Sequence, residues 1–341
     1  MAFNRFTLSL KISFVCVILL SQACSTDKPK VEAPKTPEVE KLDIKPVIKR
    51  YETALFNLDT KNLRQGLEVI HKDFAFFLGN EWSDTINQVR IINFITDPNI
   101  KELYALTMQK YPDVQFLENE LGDAFETYKL SYPEKPVPSI YTYVSGLDIE
   151  NPVYFADTAM AIGLDLFLGS DAKAYRKAGI PIYKSDRCTK ENILPQCMRA
   201  ISESLIAVDK DKNTLLDQMI IEGKALYFMD ITLANTADNF KIGFSESQYD
   251  WCKKNEANIW SLFIDKQALF SSSPQILSKF LSDAPFTSGF EKDAPPRLGA
   301  YIGWQIIRQY MANSDNVTLK QLMLNTDSQE ILKVSGYKPA K

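Results

Sequence analysis

Histidine is almost missing from this 341-residue sequence: His71 is the only one. That scarcity removes an HExxH zinc helix, a histidine-rich metal site, and any Ser-His-Asp triad built around another histidine. Positive charge is not in excess either. Lys and Arg number 39 against 43 Asp and Glu, for a formal net charge of −4. No basic cluster stands out against that balance, so nucleic acid is not an expected partner. No fixed-period repeat occurs, which argues against a solenoid. What is present is ordinary for a globular chain. Hydrophobic residues make up 45% and charged residues 24%, which argues against a disordered chain, a fibre or a polytopic membrane protein.

The N-terminus reads as an export signal. Arg5 and Lys11 precede the apolar run Ile12 to Leu20, which has signal-peptide length and is too short to span a bilayer. Ser21-Gln22-Ala23-Cys24 follows, a small residue before a cysteine, with Ser21 where lipoprotein signals usually carry Leu. Cleavage after residue 23 would leave Cys24 as an acylated first residue and a membrane anchor. An ordinary secretory signal with a coincidental cysteine is the plainer alternative. With only one early acid, Asp27, the expected location is the outer membrane, facing the periplasm.

Residues 24–46 carry the lipidated cysteine and a tether. From Ser25 to Pro46 there are four prolines, alternating charges and no aromatic residue, so no core can form. Where proline-rich it extends at roughly 3 Å per residue, a reach on the order of 60 Å. Residues 47–341 then read as a single α+β domain, mostly helical with a small mixed β-sheet. Helices are expected over 47–135, strands over 136–170 and helices again over 171–341. Asp97-Pro98 is an N-cap with proline at the first helical position. Ile140, Tyr141, Tyr143, Val144, Val153, Tyr154 and Phe155 are strand formers in short stretches. Further helices are expected at 195–208, 213–229, 245–268, 273–282, 297–313, 317–324 and 326–334.

Three cysteines remain in this body. Cys188 and Cys197 bracket a short loop ending in proline, and either a bridge worth a little under about 3 kcal/mol or two buried thiols would suit it. Cys252 reads as a small core residue. Trp251, Trp260 and Arg308 are candidates for an interaction surface. Glycines 299 and 303 suit close helix packing. The loops Asp283-Ala284-Pro285-Phe286 and Ala294-Pro295-Pro296 suit the mouth of a cleft.

One helix is chemically informative. In residues 213–229, Leu215, Met219, Glu222, Leu226 and Met229 recur at helical spacing, so Glu222 lies on an apolar stripe. A carboxylate there is costly unless paired. Gly223 beside it allows close backbone approach. A structural ion pair or a helix-edge position is the plain explanation. Asp165, set among Leu164, Leu166, Phe167 and Leu168, is either an edge-strand polar residue or part of a cleft.

The run E-G-K-A-L-Y-F (222–228) resembles the second helix of gluzincin metalloproteases, whose Glu is the third zinc ligand. The HExxH register twenty residues upstream falls on Met198-Arg199-Ala200-Ile201-Ser202, which supplies no histidine. The resemblance therefore implies a zincin-like body without its metal site, a degenerate region of Met198, Arg199, Ser202 and Glu222, and no cofactor. It also implies a cation in the metal's place beside Glu222, Arg199 in preference to Arg308, with a local Arg199–Glu203 pair as the rival use of Arg199.

Longer stretches resemble the gliding-motility lipoprotein family GldB. They include N-P-V-Y-F-A-D-T (151–158), A-I-G-L-D-L-F-L-G (161–169), C-M-R-A-I-S-E (197–203), N-T-L-L-D-Q-M-I-I-E-G-K-A-L-Y-F (213–228), D-W-C-K-K-N-E-A-N-I-W (250–260), D-A-P-F-T-S-G-F (283–290), P-R-L-G-A-Y-I-G-W-Q-I-I-R-Q-Y-M (296–311) and S-G-Y-K-P-A-K (335–341). This resemblance implies a non-catalytic envelope lipoprotein required for surface gliding. Its implied partners are other gliding and type IX secretion envelope proteins, with the membrane reached through the N-terminal lipid. Two other classes remain open: a periplasmic peptide or lipid carrier using a protease-like cleft, and a metal-independent hydrolase using carboxylates such as Glu222 and Asp165.

Overall fold

The computed structural model describes residues 42–290 and 293–339. The expected signal peptide, Cys24 and most of the tether lie outside these residues.

The α+β expectation holds. A four-stranded sheet sits among helices, in the order β1 (Ile48–Arg50), β2 (Ser139–Tyr143), β4 (Ala159–Gly163), β3 (Val153–Ala156). The first three run parallel, and β3 returns antiparallel on the outside through a short turn in which Asp157 takes φ +37. Register pairs Ile48 with Ile140, and Ile140 with Met160. β4 is buried along its whole length, so it reads as a continuous apolar run rather than an alternating one. Its two faces serve different cores. Ile48, Ile140, Met160 and Ile162 enter the main core, while Tyr141, Ala159 and Ala161 face a smaller core with Tyr51, Leu55, Leu67 and Phe74.

β1 corrects the sequence reading. Residues 47–135 were expected to be helical, yet Ile48-Lys49-Arg50 form the first strand. Three residues carry no periodicity of their own; pairing with β2, some ninety positions on, makes them a strand.

The main core is built around one helix, Leu215–Thr232, buried on nearly every side. Thr214 and Asp217 close its N-terminus as a capping box. It crosses the Leu298–Ala312 helix where Gly223 meets Gly303. A Cβ placed on Gly303 would lie 1.8 Å from the carbonyl oxygen of Met219, and one on Gly223 would lie 2.3 Å from that of Gly303. No side chain fits between these backbones, so the glycines fix how close the helices come. The Gln115–Ser131 and Ile193–Leu205 helices complete this layer, the latter packing on β3 and β4. No helix among the described residues is long and apolar enough to cross a membrane.

Candidate functional site: a charged cleft between two helices

The Ile193–Leu205 helix is amphipathic. Ile193, Cys197, Met198, Ile201 and Ser202 are buried in the core. One position round, Gln196 and Arg199 face a cavity of about 390 Å³. Glu222 enters the same cavity from the Leu215–Thr232 helix. Its side chain keeps a quarter of its exposure, so it lines a cleft rather than lying sealed in the core. Arg187, Cys188, Asp283 and Arg297 close the remaining walls, with Leu166, Phe167 and Leu281 as apolar patches.

Arg199 is the hub. Its Nη2 donates to both oxygens of Glu222, at 3.0 and 2.9 Å, and its Nε donates to Glu203 at 3.0 Å. The two pairings weighed from the sequence therefore coexist. Burial alone would raise the Glu222 carboxyl, but Arg199, and after it Arg297, outweigh burial and hold it below its ordinary 4.5. Glu222 thus contributes stability that is fully present above about pH 4.5 and is lost as the pH falls through its lower folded value.

Glu222→Gln removes one charge of a partly shielded pair. Arg199 keeps Glu203 and some access to water, so we expect a loss of about 2 kcal/mol, below the 3–5 of a sealed pair. Adding Arg199→Met should restore much of the denaturant midpoint. An unchanged midpoint in the single variant would show that the Arg199–Glu222 contact contributes nothing.

Other candidates are placed differently. Met198 is fully buried, and Ser202 is buried with its hydroxyl donating to the Arg199 carbonyl at 2.7 Å; neither lines the cavity. Of those four residues, Arg199 and Glu222 meet in the cavity, and Glu203 joins them. Arg308 is not the partner of Glu222, nor an interaction surface. It forks onto Asp230 at 2.7 Å through both Nε and Nη2. Trp251 and Trp260 are half-buried against the main core, edge-on to Phe290 and Tyr337, rather than presented on a surface. Cys188 and Cys197 are free buried thiols, and the bridge considered for them does not form. Cys197 points into the core from its helix, while the Cys188 Sγ donates to the Lys184 carbonyl at 3.5 Å. Burial pushes the Cys188 thiol up to about 12, so it is no nucleophile at neutral pH. Asp165 has no exposure. It accepts from Ser145 N at 2.8 Å, Ser145 Oγ at 3.0 Å and Leu147 N at 2.9 Å, which makes it the brace of a turn. His71 bonds the Gly79 carbonyl, away from the cleft.

Two features escaped the sequence reading. One is the Asp230 network. Asp230 also accepts from Lys241 at 3.0 Å and Trp304 Nε1 at 2.8 Å, and Asp238 and Tyr249 extend it. The other is the arginine pair across the cleft. Arg187 bonds Asp283, and Arg297 Nε lies 3.1 Å from the same carboxylate. Arg297 takes φ +54 just before its helix and reaches the Ile242 carbonyl. The Asp283 and Pro296 loops do line the mouth of a cleft, as their composition suggested.

Among the described residues no group of three or more His, Cys, Asp or Glu is placed to hold a metal ion. No curated protein and no solved structure matches the chain. A family model described as "Gliding motility protein GldB" matches residues 32–339, nearly the whole body including every residue of the cleft, and the chain belongs to that family.

Proposed function

We propose that the chain is a non-catalytic lipoprotein of the cell envelope. In this reading an acylated Cys24 holds it in the outer membrane, facing the periplasm, and it acts through protein contacts in the gliding machinery and its secretion apparatus. Family membership supports the motility role. The signal-like N-terminus supports the anchor. The observation that carries the non-catalytic part is Arg199, a cation held between Glu203 and Glu222 at the centre of the cleft.

The body reads as a gluzincin-like scaffold that has lost its metal site. In that pattern the ligand helix offers two side chains four residues apart. Arg199 and Glu203 have that spacing, and Arg199 meets Glu222. The matching register is therefore 199–203, one residue later than the 198–202 register counted from the sequence. Zinc does not fit these residues. A guanidinium has no lone pair to give, and its positive charge takes the place between the two carboxylates.

Cys24→Ala tests the anchored role in a gliding host. Fatty-acid labelling should vanish, the protein should leave the membrane fraction, and surface spreading should stop. Normal spreading with an unlabelled, soluble variant would refute it.

A further inference from the structure

The cleft gathers three guanidiniums, and its acids are shared unevenly among them. Lys184 is taken by Glu150, and Lys241 by Asp230 and Asp238. Arg199 has two carboxylates to itself. Arg187 and Arg297, by contrast, share the single carboxylate of Asp283. That point is locally rich in cations, while Glu222, next to Arg297 as well as Arg199, and Glu203 join Asp283 to balance the three arginines over the cleft as a whole. Among the described residues no hydrogen bond engages the buried Arg297 Nε. Burial, then the facing Arg187 guanidinium, push Arg297 down to about 10, while Asp283 and Glu222 act the other way.

The shape continues the argument. Beyond the inner chamber runs an outer groove of about 1190 Å³, and Arg187, Gly243, Asp283 and Arg297 form the wall common to both. Phe240, Phe244 and Pro285 give the groove apolar surface. A free ion would fill neither space. An extended chain with a single charge at its end would fill both. Asp283 already marks the place where a carboxylate is held.

We propose that this cleft receives the C-terminal end of a partner polypeptide. Its terminal carboxylate displaces Asp283 from Arg187 and Arg297. Its last side chain enters the inner chamber against Leu166, Phe167 and Leu281, and the preceding residues lie along the outer groove. A planar carboxylate matches the guanidinium fork, as Asp283 already does. Capture of a chain terminus is an established mode of peptide recognition. The inference rests on the reading that the protein works by contacts with other proteins. Its test uses purified protein and has no motility readout, so its failure leaves anchoring and gliding untouched.

The probe is the fluorescein-labelled peptide Gly-Ala-Ala-Phe, with a free carboxylate or as the C-terminal amide, followed by fluorescence anisotropy on the purified mature chain. The acid should bind saturably with one site, and the amide about tenfold more weakly or worse. Arg187→Gln should weaken the acid by about tenfold. Asp283→Asn, which removes the internal competitor, should tighten it several-fold, a change that mere damage to the fold would not produce. Equal binding of acid and amide, no binding of either, or no tightening in Asp283→Asn would overturn the proposal. Displacement of the peptide by inorganic phosphate as effectively as by unlabelled peptide acid would reassign the cleft to a free anion and overturn it as well.

Discussion

Gly303→Ala is expected to destabilise the protein by more than about 3 kcal/mol, and little folded chain should accumulate. The added methyl would sit 1.8 Å from the Met219 carbonyl oxygen and 2.5 Å from its carbon. Both are backbone atoms of a helix buried on almost every side, so no side-chain rotation relieves the clash. The Leu215–Thr232 and Leu298–Ala312 helices must separate, and the packing of Met219, Leu226, Trp304 and Ile307 opens with them. Gly299→Ala is the internal control. Its Cβ would meet Leu281 Cδ2 at 2.9 Å and Met219 Cγ at 3.2 Å, side-chain atoms that can shift, besides the Phe280 carbonyl oxygen at 3.0 Å. Thermal or urea melts should rank wild type, Gly299→Ala, Gly303→Ala in falling order. A Gly303→Ala protein as stable as wild type would mean that the helices do not cross there.

Asp230→Asn should cost about 3 to 5 kcal/mol. Asp230 keeps 8% of its exposure and accepts four hydrogen bonds, two from Arg308, one from Lys241 and one from Trp304 Nε1. Arg308 also lies over the Trp304 ring at 3.8 Å. The amide keeps the shape and one acceptor oxygen but removes the charge that two buried cations face. Asp238 can answer only part of that loss, because it already serves Arg308, Lys241 and Tyr249. The check is the denaturant midpoint of the purified variant. A loss under about 1 kcal/mol, the scale of one ordinary hydrogen bond, would show that the network is not held by its central charge.

These two positions differ in how far the sequence disclosed them. Gly223 beside Glu222, and Gly299 with Gly303, signalled close packing because a glycine inside an apolar helix needs a reason. That these helices meet at Gly223 and Gly303 needed three dimensions. Asp230 gave little warning. It ends the apolar run F-M-D, where a carboxylate reads as a solvated helix end, and its cations lie 11 and 78 positions away. Helix extents in the last third were legible to within a few residues, since 3.6-residue periodicity is a local signal. β1 was not legible, because pairing alone defines it. In the cleft, the stripe carrying Glu222 was readable from helical spacing, whereas Arg199 as its partner came only from the gluzincin resemblance. Which face of the Ile193–Leu205 helix turns to the cavity was not readable, because it depends on Met198 and Ser202 packing into the core.

Peptide hydrolysis by the purified mature chain bears most directly on the proposal that the charged cleft is not catalytic. Incubated with denatured protein and short peptides, with and without added zinc, it should release no new amino termini above a heat-inactivated control. Glu222→Gln should give the same baseline. Turnover by the wild-type chain that disappears in Glu222→Gln would contradict the account, because it would make the carboxylate held by Arg199 a catalytic group.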